Sequence, residues 1–410
     1  MTATLFTNAN ILDGTADHAV PGHVLVEDGR IKEVSDKPIA TSARSIDLRG
    51  RTLMPGLIDA HVHVIASEVN LARHALLPDA LVAFRAAKIM RGMLLRGFTT
   101  IRDLGGATFG LRLAQEEGHF EGPRMVICGK AISSTGGHSD GRGRWDSRDM
   151  HWLEQRLGCL GRIADGVDAV RRACREEIKA GADYIKIMAN GGVASPTDPI
   201  AFLGYSKDEM RAAVEEARMA QTYVAAHLYT DEAIARAVEC GVWSLEHCNL
   251  IEEATARAAA EAGCIACPTL VTYQALKDEG GSLGLPAESV AKIDTVRLRG
   301  LESLETMQRA GLTMAFGTDL LGGMHRHQSE EFVIRGRVLP AIEVIRSTTM
   351  HAAKLLRMEG RIGVVAPGAF ADLIVVDGDP LKDLSLLTRQ GAHLPAIMLG
   401  GRFVKDQLMQ

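Results

Sequence analysis

The sequence lacks several features that mark particular classes of protein. None of its hydrophobic stretches approaches the ~18 consecutive apolar residues that a membrane-spanning helix requires. The start, Met1–Phe6, lacks the basic segment and apolar core of a secretory signal. A formal net charge of -5 offers no attraction to nucleic acids or acidic membrane surfaces. Its seven cysteines are an odd, scattered set, which is typical of reduced thiols. We therefore expect a cytoplasmic protein with no nucleic-acid or membrane partner.

Both ends of the 410-residue chain read as short β-strands. Near the N-terminus, Glu27-Asp28-Gly29-Arg30 is a hairpin signal, because Asp-Gly supplies the positive φ angles of a tight turn. Near the C-terminus, the apolar run Asp372–Val376 ends in the turn sequence Asp377-Gly378-Asp379-Pro380. We predict that residues 1–56 and 361–410 together form one small β-sandwich domain.

The middle of the chain, residues 57–360, alternates short apolar runs with longer segments of helical spacing. Eight such runs are candidate strands: Leu57–Val64, Thr99–Leu104, Arg124–Cys128, Tyr184–Met188, Val224–Tyr229, Ser244–Cys248, Ile265–Thr269 and Thr313–Gly317. Strand–helix alternation repeated eight times predicts an α/β fold, the (β/α)8 TIM barrel. An open doubly wound sheet is the alternative, although the G-x-G-x-x-G phosphate turn typical of that fold is absent.

Six polar residues stand at or near the C-terminal ends of five candidate strands, the face where barrel active sites are built. They are His61 and His63 on the first strand, Lys186 on the fourth, His227 on the fifth, His247 on the sixth and Asp319 just beyond the eighth. His61 and His63 are two residues apart, so they share one face of their strand. A buried lysine is costly unless it is paired or neutralised. Because imidazole and carboxylate are natural zinc ligands, the set predicts a metal site.

This set resembles the ligands of the binuclear branch of the amidohydrolase superfamily, and the resemblance covers essentially the whole chain. Pro55-Gly56-Leu57-Ile58-Asp59-Ala60-His61-Val62-His63 is similar to the family's opening signature, and Gly368-Ala369-Phe370-Ala371-Asp372-Leu373 resembles its return into the sheet domain. Other motifs are similar to imidazolonepropionase-like members that act as dipeptidases or carboxypeptidases, on Xaa-Pro or Xaa-Arg/Lys dipeptides, or on ochratoxin-type amides. These motifs are Thr135-Gly136-Gly137-His138, Lys186-Ile187-Met188-Ala189-Asn190-Gly191-Gly192 and His227-Leu228-Tyr229-Thr230.

The resemblance implies two divalent metal ions, with zinc as the expected metal. It implies that His61, His63 and Asp319 hold one ion, that His227 and His247 hold the other, and that Lys186, carboxylated by CO2 to a carbamate, bridges the two. Burial in an apolar strand favours the neutral amine that has to react with CO2. A bridging hydroxide would attack the substrate carbonyl, with Asp319 as general base and then general acid. Asp319 and Lys186 are thus the expected catalytic residues.

Substrate contacts are expected from His138, in a glycine-rich loop after the third strand, and from Tyr229, two residues beyond His227 on the same face. Tyr229 also fits the simpler role of an aromatic residue that packs at the mouth. Arg102 and Asp103, after the second strand, are expected to form an internal ion pair. The loop at 195–199 is expected to be mobile and to lie over the site.

The leading prediction is a hydrolase that cleaves an amide or peptide bond and releases a C-terminal amino acid. Its small-molecule substrate would be a dipeptide or an N-acyl amino acid, and we expect a homo-oligomer. One alternative is a hydrolase of a cyclic amide, such as an imidazolone, or of a lactone. Another is a catalytically silent relative used in assembly, but such relatives lose metal ligands, whereas all six are present here.

Overall fold

The computed structural model describes residues 3–195 and 197–408. Residues 1–2 and 409–410 of the predicted terminal domain lie outside this range, as does Pro196 of the predicted loop. Within it, the strands in chain order are β1 Thr4–Ile11, β2 Val20–Glu27, β3 Arg30–Ser35, β4 Arg44–Asp47, β5 Thr52–Pro55, β6 Leu57–Val62, β7 Phe98–Asp103, β8 Arg124–Ile127, β9 Ala131–Ser133, β10 Gly161–Ile163, β11 Ile185–Met188, β12 Val224–Thr230, β13 Ser244–Leu250, β14 Ile265–Cys267, β15 Thr313–Met314, β16 Leu373–Val376, β17 Ala396–Leu399 and β18 Arg402–Asp406.

The two ends of the chain share one mixed sheet. Its strand order is β18-β17-β16-β5-β1-β2-β3, with β4 paired parallel to β1. Strand β16 runs antiparallel to β5, with Leu373 opposite Pro55, so the C-terminal strands extend the N-terminal part of the sheet. Phe6, Val24 and Val375 are among the apolar side chains that pack into a separate core beneath it. The two-layer sandwich and the domain limits stay predictions.

The predicted Asp-Gly hairpin joins β2 to β3. Glu27 and Arg30 face each other across the strands. Between them, Asp28 and Gly29 have φ angles of 50° and 77°. Two consecutive positive φ angles match the twist of the flanking strands, which is why this dipeptide favours a tight hairpin. The predicted turn is therefore confirmed.

The middle of the chain forms parallel strands arranged in two sheets. One has the order β6-β7-β8 and the other β10-β9-β11-β12-β13-β14-β15. Hydrogen bonds link the sheets at both sides: the Ala60 N–H donates to Phe316 O over 2.7 Å, and the Asp183 N–H donates to Ile127 O over 2.7 Å. Strands β6, β7 and β11 are buried along their whole length, as expected for parallel strands covered on both faces. The arrangement is TIM-barrel-like.

The parallel region differs from the sequence prediction in its strand count and in the bounds of its strands. Two three-residue strands, β9 and β10, follow the predicted third strand, and β9 rather than β8 pairs with β11. A strand of three residues is too short to show the alternation of apolar and polar residues by which a strand is recognised in a sequence. Strand β14 ends at Cys267, two residues earlier than predicted, because a helix already begins at Leu270. Strand β15 ends at Met314, three residues earlier than predicted. Strand β6 ends at Val62 instead of Val64, so His63 lies just beyond it, and β13 continues to Leu250 instead of Cys248.

Helices connect the parallel strands. They are α1 Leu71–His74, α2 Asp79–Leu95, α3 Phe109–Glu116, α4 His151–Glu154, α5 Val167–Lys179, α6 Lys207–Met219, α7 Asp231–Glu239, α8 Glu253–Glu261, α9 Leu270–Ala275, α10 Ala287–Arg297, α11 Gly300–Arg309, α12 Glu330–Arg335, α13 Ala341–Ser347 and α14 Met350–Leu355, with a π-helical turn at Leu276–Gly280 and 3-10 turns at Gly322–His327, Leu384–Leu387 and Arg389–Gly391. Helix α6 starts with a capping box between Ser206 and Glu209. Among the described residues, no helix has both the length and the apolar character that crossing a membrane requires.

Candidate active site

His61 and His63, at the end of β6, lie beside Asp319. Asp319 Oδ1 is 3.4 Å from His61 Nε2 and 3.3 Å from His63 Nε2. The Asp319 N–H also donates to the His61 carbonyl over 2.8 Å, which fixes the carboxylate next to the two rings. Burial raises the pKa of Asp319, but the charge of His61 and hydrogen bonds from both histidines outweigh burial and hold that pKa well below its usual range. Asp319 is therefore ionised at neutral pH.

His227 and His247, on the neighbouring strands β12 and β13, complete a cluster of four histidines. Their ring centroids are 4.6 Å apart, and the His247 ring is 4.7 Å from that of His61. Burial lowers the pKa of both His227 and His247 well below the ordinary value. Both rings are thus neutral, the form in which imidazole binds a metal.

Lys186 is buried on β11, with 1% of its surface exposed. Within residues 3–195 and 197–408, its ammonium group makes no hydrogen bond or ion pair. Burial lowers the pKa of Lys186, although the nearby carboxylates of Glu246 and Asp319 act in the opposite direction. The structure therefore places a buried amine of reduced basicity next to the histidine cluster.

The histidine rings are oriented by partners on the side away from the cluster. The partners of Nδ1 are Glu246 Oε2 at 2.8 Å for His61, the Gly105 carbonyl at 3.1 Å for His63 and Thr269 Oγ1 at 2.8 Å for His247. In each ring this leaves Nε2 available as a ligand atom. His227 differs, because its Nε2 lies 3.2 Å from the Gly191 carbonyl. Such hydrogen bonds to the second nitrogen are the usual support of metal-binding histidines.

Glu246 belongs to a buried network that sequence analysis missed. Arg102 donates to Glu246 over 2.7 Å, to Ser244 Oγ over 3.0 Å and to the Ala60 carbonyl over 2.7 Å. Arg102 and Glu246 are both fully buried. The predicted ion pair of Arg102 with Asp103 is therefore wrong. Successive residues of a strand point to opposite faces, and Asp103 accepts backbone N–H groups of Val64, Gly105 and Ala107 instead.

Two groups of side chains in the described residues have the spacing of a metal site. One is His61, His247 and Asp319, and the other is His61, Glu246 and Cys267. The second is the poorer site, because Glu246 is already paired with Arg102 and burial raises the pKa of the Cys267 thiol well above its usual value. The first contains the acceptors that zinc and its neighbours prefer.

His138 and Tyr229 reach the same cluster from two directions. The His138 ring stacks on that of His227 with centroids 4.1 Å apart, and the Tyr229 ring is 4.6 Å from His227. The Tyr229 hydroxyl accepts a hydrogen bond from Tyr273 over 3.1 Å. Both predicted substrate-binding residues thus lie beside the histidines, and Tyr273 is a neighbour that the sequence did not indicate.

A polar loop supports His138. His138 Nδ1 is 2.7 Å from Ser195 Oγ and 3.4 Å from Asp198 Oδ2. Burial raises the pKa of the Asp198 carboxyl, but the hydrogen bond and charge of His138 outweigh burial, so the pKa falls below its usual value. Lys292, on α10, donates to the carbonyls of Gly192, Ser195 and Asp198 over 2.5, 2.7 and 3.0 Å. These bonds fasten the loop to a helix.

A cavity of about 300 Å³ opens from this cluster to the surface. Its inner wall includes His63, His138, Tyr229, Tyr273 and Asp319. The cluster is thus open to a ligand of small-molecule size, with polar groups beside the histidines that could orient it, as in typical substrate sites.

Comparison with known proteins agrees with this site. Residues 52–403 match the Amidohydrolase family. The chain belongs to the Amidohydrolase family. That match spans the parallel strands together with β5, β16 and β17 of the terminal sheet, and it confirms the predicted family. Members typically use metal ions, in keeping with the His61, His247 and Asp319 group.

Similar amidohydrolases have been named or solved. The chain is 30% identical to the ochratoxinase of Aspergillus niger over 406 residues, 91% of this chain and 82% of that protein. A crystal structure of an amidohydrolase is 54% identical, with a TM-score of 0.97 over 99% of each chain. A prolidase complexed with N-methylphosphonate-L-proline is 50% identical, with a TM-score of 0.97 over 99% of this chain and 100% of that one. The amidohydrolase described here is therefore a hydrolytic enzyme, as predicted, rather than a silent relative.

Two groups of supporting residues escaped sequence analysis. Glu246 directly precedes His247, so strand alternation assigns it to the opposite face. Asp198 lies ten residues beyond the end of β11, where no period links a loop residue to His138. The one available signal is compositional, because both carboxylates stand in largely uncharged segments.

Proposed function

We propose that this amidohydrolase cleaves an amide bond and releases a C-terminal amino acid from a dipeptide or an N-acyl amino acid. One observation carries the proposal: a single cavity contains the Asp319 carboxylate at one wall and the polar side chains His138 and Tyr229 next to it. The similarity to a prolidase and to an ochratoxinase supports the same class of reaction.

The donor atoms of the chain fit a pair of divalent ions. We propose that His61, His63 and Asp319 hold one ion, that His227 and His247 hold the other, and that Lys186 as a carbamate lies between them. Three observations support this assignment: the Nε2 atoms of His61, His63 and His247 that their Nδ1 partners leave available, the neutral rings of His227 and His247, and the unpaired buried amine. When bound, zinc or a similar ion supplies Lewis-acid polarisation of the carbonyl and lowers the pKa of water.

Asp319 is the proposed proton carrier. It is ionised in the resting site, so it is able to accept a proton from the attacking water. It then delivers that proton to the leaving nitrogen, a step that amide cleavage requires because an amine anion is a poor leaving group. Its Oδ1, within 3.4 Å of two imidazoles, sits at the wall of the cavity where the scissile bond would lie.

His138 and Tyr229 are the proposed partners of the substrate carboxylate. Ser195 and Asp198 hold the His138 ring in place at the inner wall of the cavity, where it can contact the carboxylate. The Tyr229 hydroxyl accepts from Tyr273 and so has its own hydrogen free to donate. Together they would hold the free carboxylate of the leaving amino acid.

We also propose the domain architecture, the location and the oligomeric state of the protein. The links between the two parallel sheets support a closed (β/α)8 barrel over residues 57–360, with a β-sandwich domain formed by residues 1–56 and 361–410. All seven cysteines are buried and unpaired, which supports a cytoplasmic location. A homo-oligomer is proposed as well.

A substrate panel tests the function. The zinc-reconstituted enzyme is incubated with dipeptides and N-acyl amino acids, and released amino acids are identified by mass spectrometry. We expect release of a C-terminal residue by the wild type, whereas Lys186→Ala loses activity by about 100-fold or more and one of two metal equivalents. Full activity and two metals in Lys186→Ala would refute the bridging role. Opening of a lactone or cyclic amide, without release from the panel, would favour the alternative reaction.

A further inference from the structure

The outer part of the active-site cavity is apolar, in contrast to its inner wall. Its lining comes from α1 and the residues after it, from α4 and its N-cap, and from the π-helical turn. The apolar residues there are Leu71, Leu76, Met150, Trp152, Leu153 and Leu276. Trp152 and Leu76 are 46% and 51% exposed. Large apolar side chains that converge from separate segments on one opening mark a surface that a ligand covers.

The two arginines of this outer part are paired within the protein, whereas Asp149, which also lines it, forms no ion pair among the described residues. Arg142 donates to both oxygens of Asp140, over 2.8 and 2.7 Å. Arg148 donates in the same way to Asp146, over 2.8 and 2.6 Å. Each bidentate pair occupies the Nε atom and one terminal nitrogen of the guanidinium. The two arginines are therefore occupied by their own partners, and with the Asp149 carboxylate in the lining the mouth disfavours an anionic ligand.

The different chemistry of the inner wall and the mouth determines how a substrate would be oriented in the cavity. In the proposed function, the leaving amino acid is held at the inner wall by His138 and Tyr229, and the scissile bond lies at Asp319. The acyl group, on the other side of the scissile carbonyl, would then lie against the apolar mouth. We propose that the mouth is the subsite for the acyl side of the substrate and selects an uncharged aromatic or branched aliphatic group. This inference rests on the proposed function.

Three substrates with the same leaving amino acid test the subsite. The acyl groups are acetyl, 3-phenylpropanoyl and succinyl, and kcat/KM is measured for each with the zinc-loaded enzyme. Burial of the phenyl group is expected to raise kcat/KM roughly 10- to 100-fold over the acetyl compound. The succinyl compound, whose carboxylate meets no free cation in the mouth, is expected to be no better than acetyl. Equal rates for acetyl and phenylpropanoyl, or the fastest rate for succinyl, would overturn the subsite.

Two tryptophan variants test whether the preference for the phenylpropanoyl substrate arises in the mouth of the cavity. Trp152→Ala removes the large side chain of the mouth and is expected to reduce the phenylpropanoyl-to-acetyl ratio about threefold to tenfold. Trp145→Ala is the matched control, because Trp145 is 89% exposed and does not line the cavity. Its ratio should equal that of the wild type. An unchanged ratio in Trp152→Ala, or an equal loss in Trp145→Ala, would contradict the assignment.

Failure of the proposed function would show differently. If none of the three compounds is hydrolysed, the function is wrong, and the same compounds become stable ligands for calorimetry. Tighter binding of the phenylpropanoyl compound, lost in Trp152→Ala, would still support an apolar subsite. Equal binding of all three would overturn it.

Discussion

The two imidazoles His61 and His138 face the same cluster but are supported in different ways. His61 is held by Glu246, which Arg102 holds in turn, and both of these fully buried residues are carried by strands. His138 is held by Ser195 and Asp198, on a loop that Lys292 fastens to α10. Groups on strands are fixed by the packing of the whole core, whereas a loop opens at low free-energy cost. The candidate ligand is thus set rigidly, and the candidate substrate contact is adjustable.

The strongest test of this contrast breaks the strand-borne support. In Arg102→Met, the Glu246 carboxylate stays buried without its cation, so the free energy of unfolding is expected to fall by about 3–5 kcal/mol. Glu246, the partner of His61, also loses the donor that holds it in place, and metal affinity is expected to fall about 10- to 100-fold. Urea denaturation and zinc titration measure the two effects.

The control for that test is Arg335→Met. Arg335 forms a similar pair with Glu331, 2.8 Å apart and fully buried on both sides, but neither residue contacts a candidate ligand. We expect a comparable loss of stability with unchanged zinc affinity. The same loss of affinity in both variants would mean that general destabilisation, rather than the orientation of His61, controls the metal site.

A smaller effect is expected on the loop-borne side. Asp198→Asn retains an oxygen for the Gly192 N–H but removes the charge beside His138. We expect KM for a substrate with a free carboxylate to rise about tenfold, since one charge-assisted bond is weakened, with little change in stability. Asp165→Asn is the control, because Asp165 binds Thr135, on the loop that carries His138, but does not contact His138 itself. If kcat falls while KM stays constant, Asp198 has a different role.

The smallest effect is expected from Lys292→Met. The variant removes the donor to three loop carbonyls, a loss of about 1 kcal/mol in local stability. Amide hydrogen exchange in the segment 191–199, followed by mass spectrometry, should accelerate about fivefold, with KM raised by about twofold to threefold. Lys277→Met, which breaks only the exposed pair with Asp294, should change neither. Unaltered exchange in Lys292→Met would show that Lys292 does not hold the loop.

The same contrast explains what the sequence could predict. His61, His63 and Lys186 could be found because each is a polar residue in an apolar run, and the regular period of a strand says which face it takes. The Asp28-Gly29 turn could be found because its conformation depends on local sterics alone. Supports that depend on the meeting of distant segments had no such signal. Lys292 is about a hundred residues from the carbonyls it binds, and the three-residue strands β9 and β10 are too short to show a period.

Glu246 escaped prediction for a more specific reason. It adjoins His247, and alternation along a strand would separate the two side chains, yet both lie next to His61. The backbone of His247 has a φ angle of 72°, in the left-handed region. That turn of the backbone ends the alternation, so both residues reach the same ring. A period read from sequence assumes a regular backbone and fails where the strand departs from it.

Asp319 has the same backbone property, with a φ angle of 53°. Asparagine and aspartate tolerate this conformation, whereas alanine and most other residues do not adopt it without strain. Asp319→Asn therefore separates the chemistry of the carboxylate from the shape of the main chain, while Asp319→Ala mixes the two. The left-handed backbone at this position therefore limits the residues that natural or laboratory evolution could place there. This limit is independent of any requirement of catalysis.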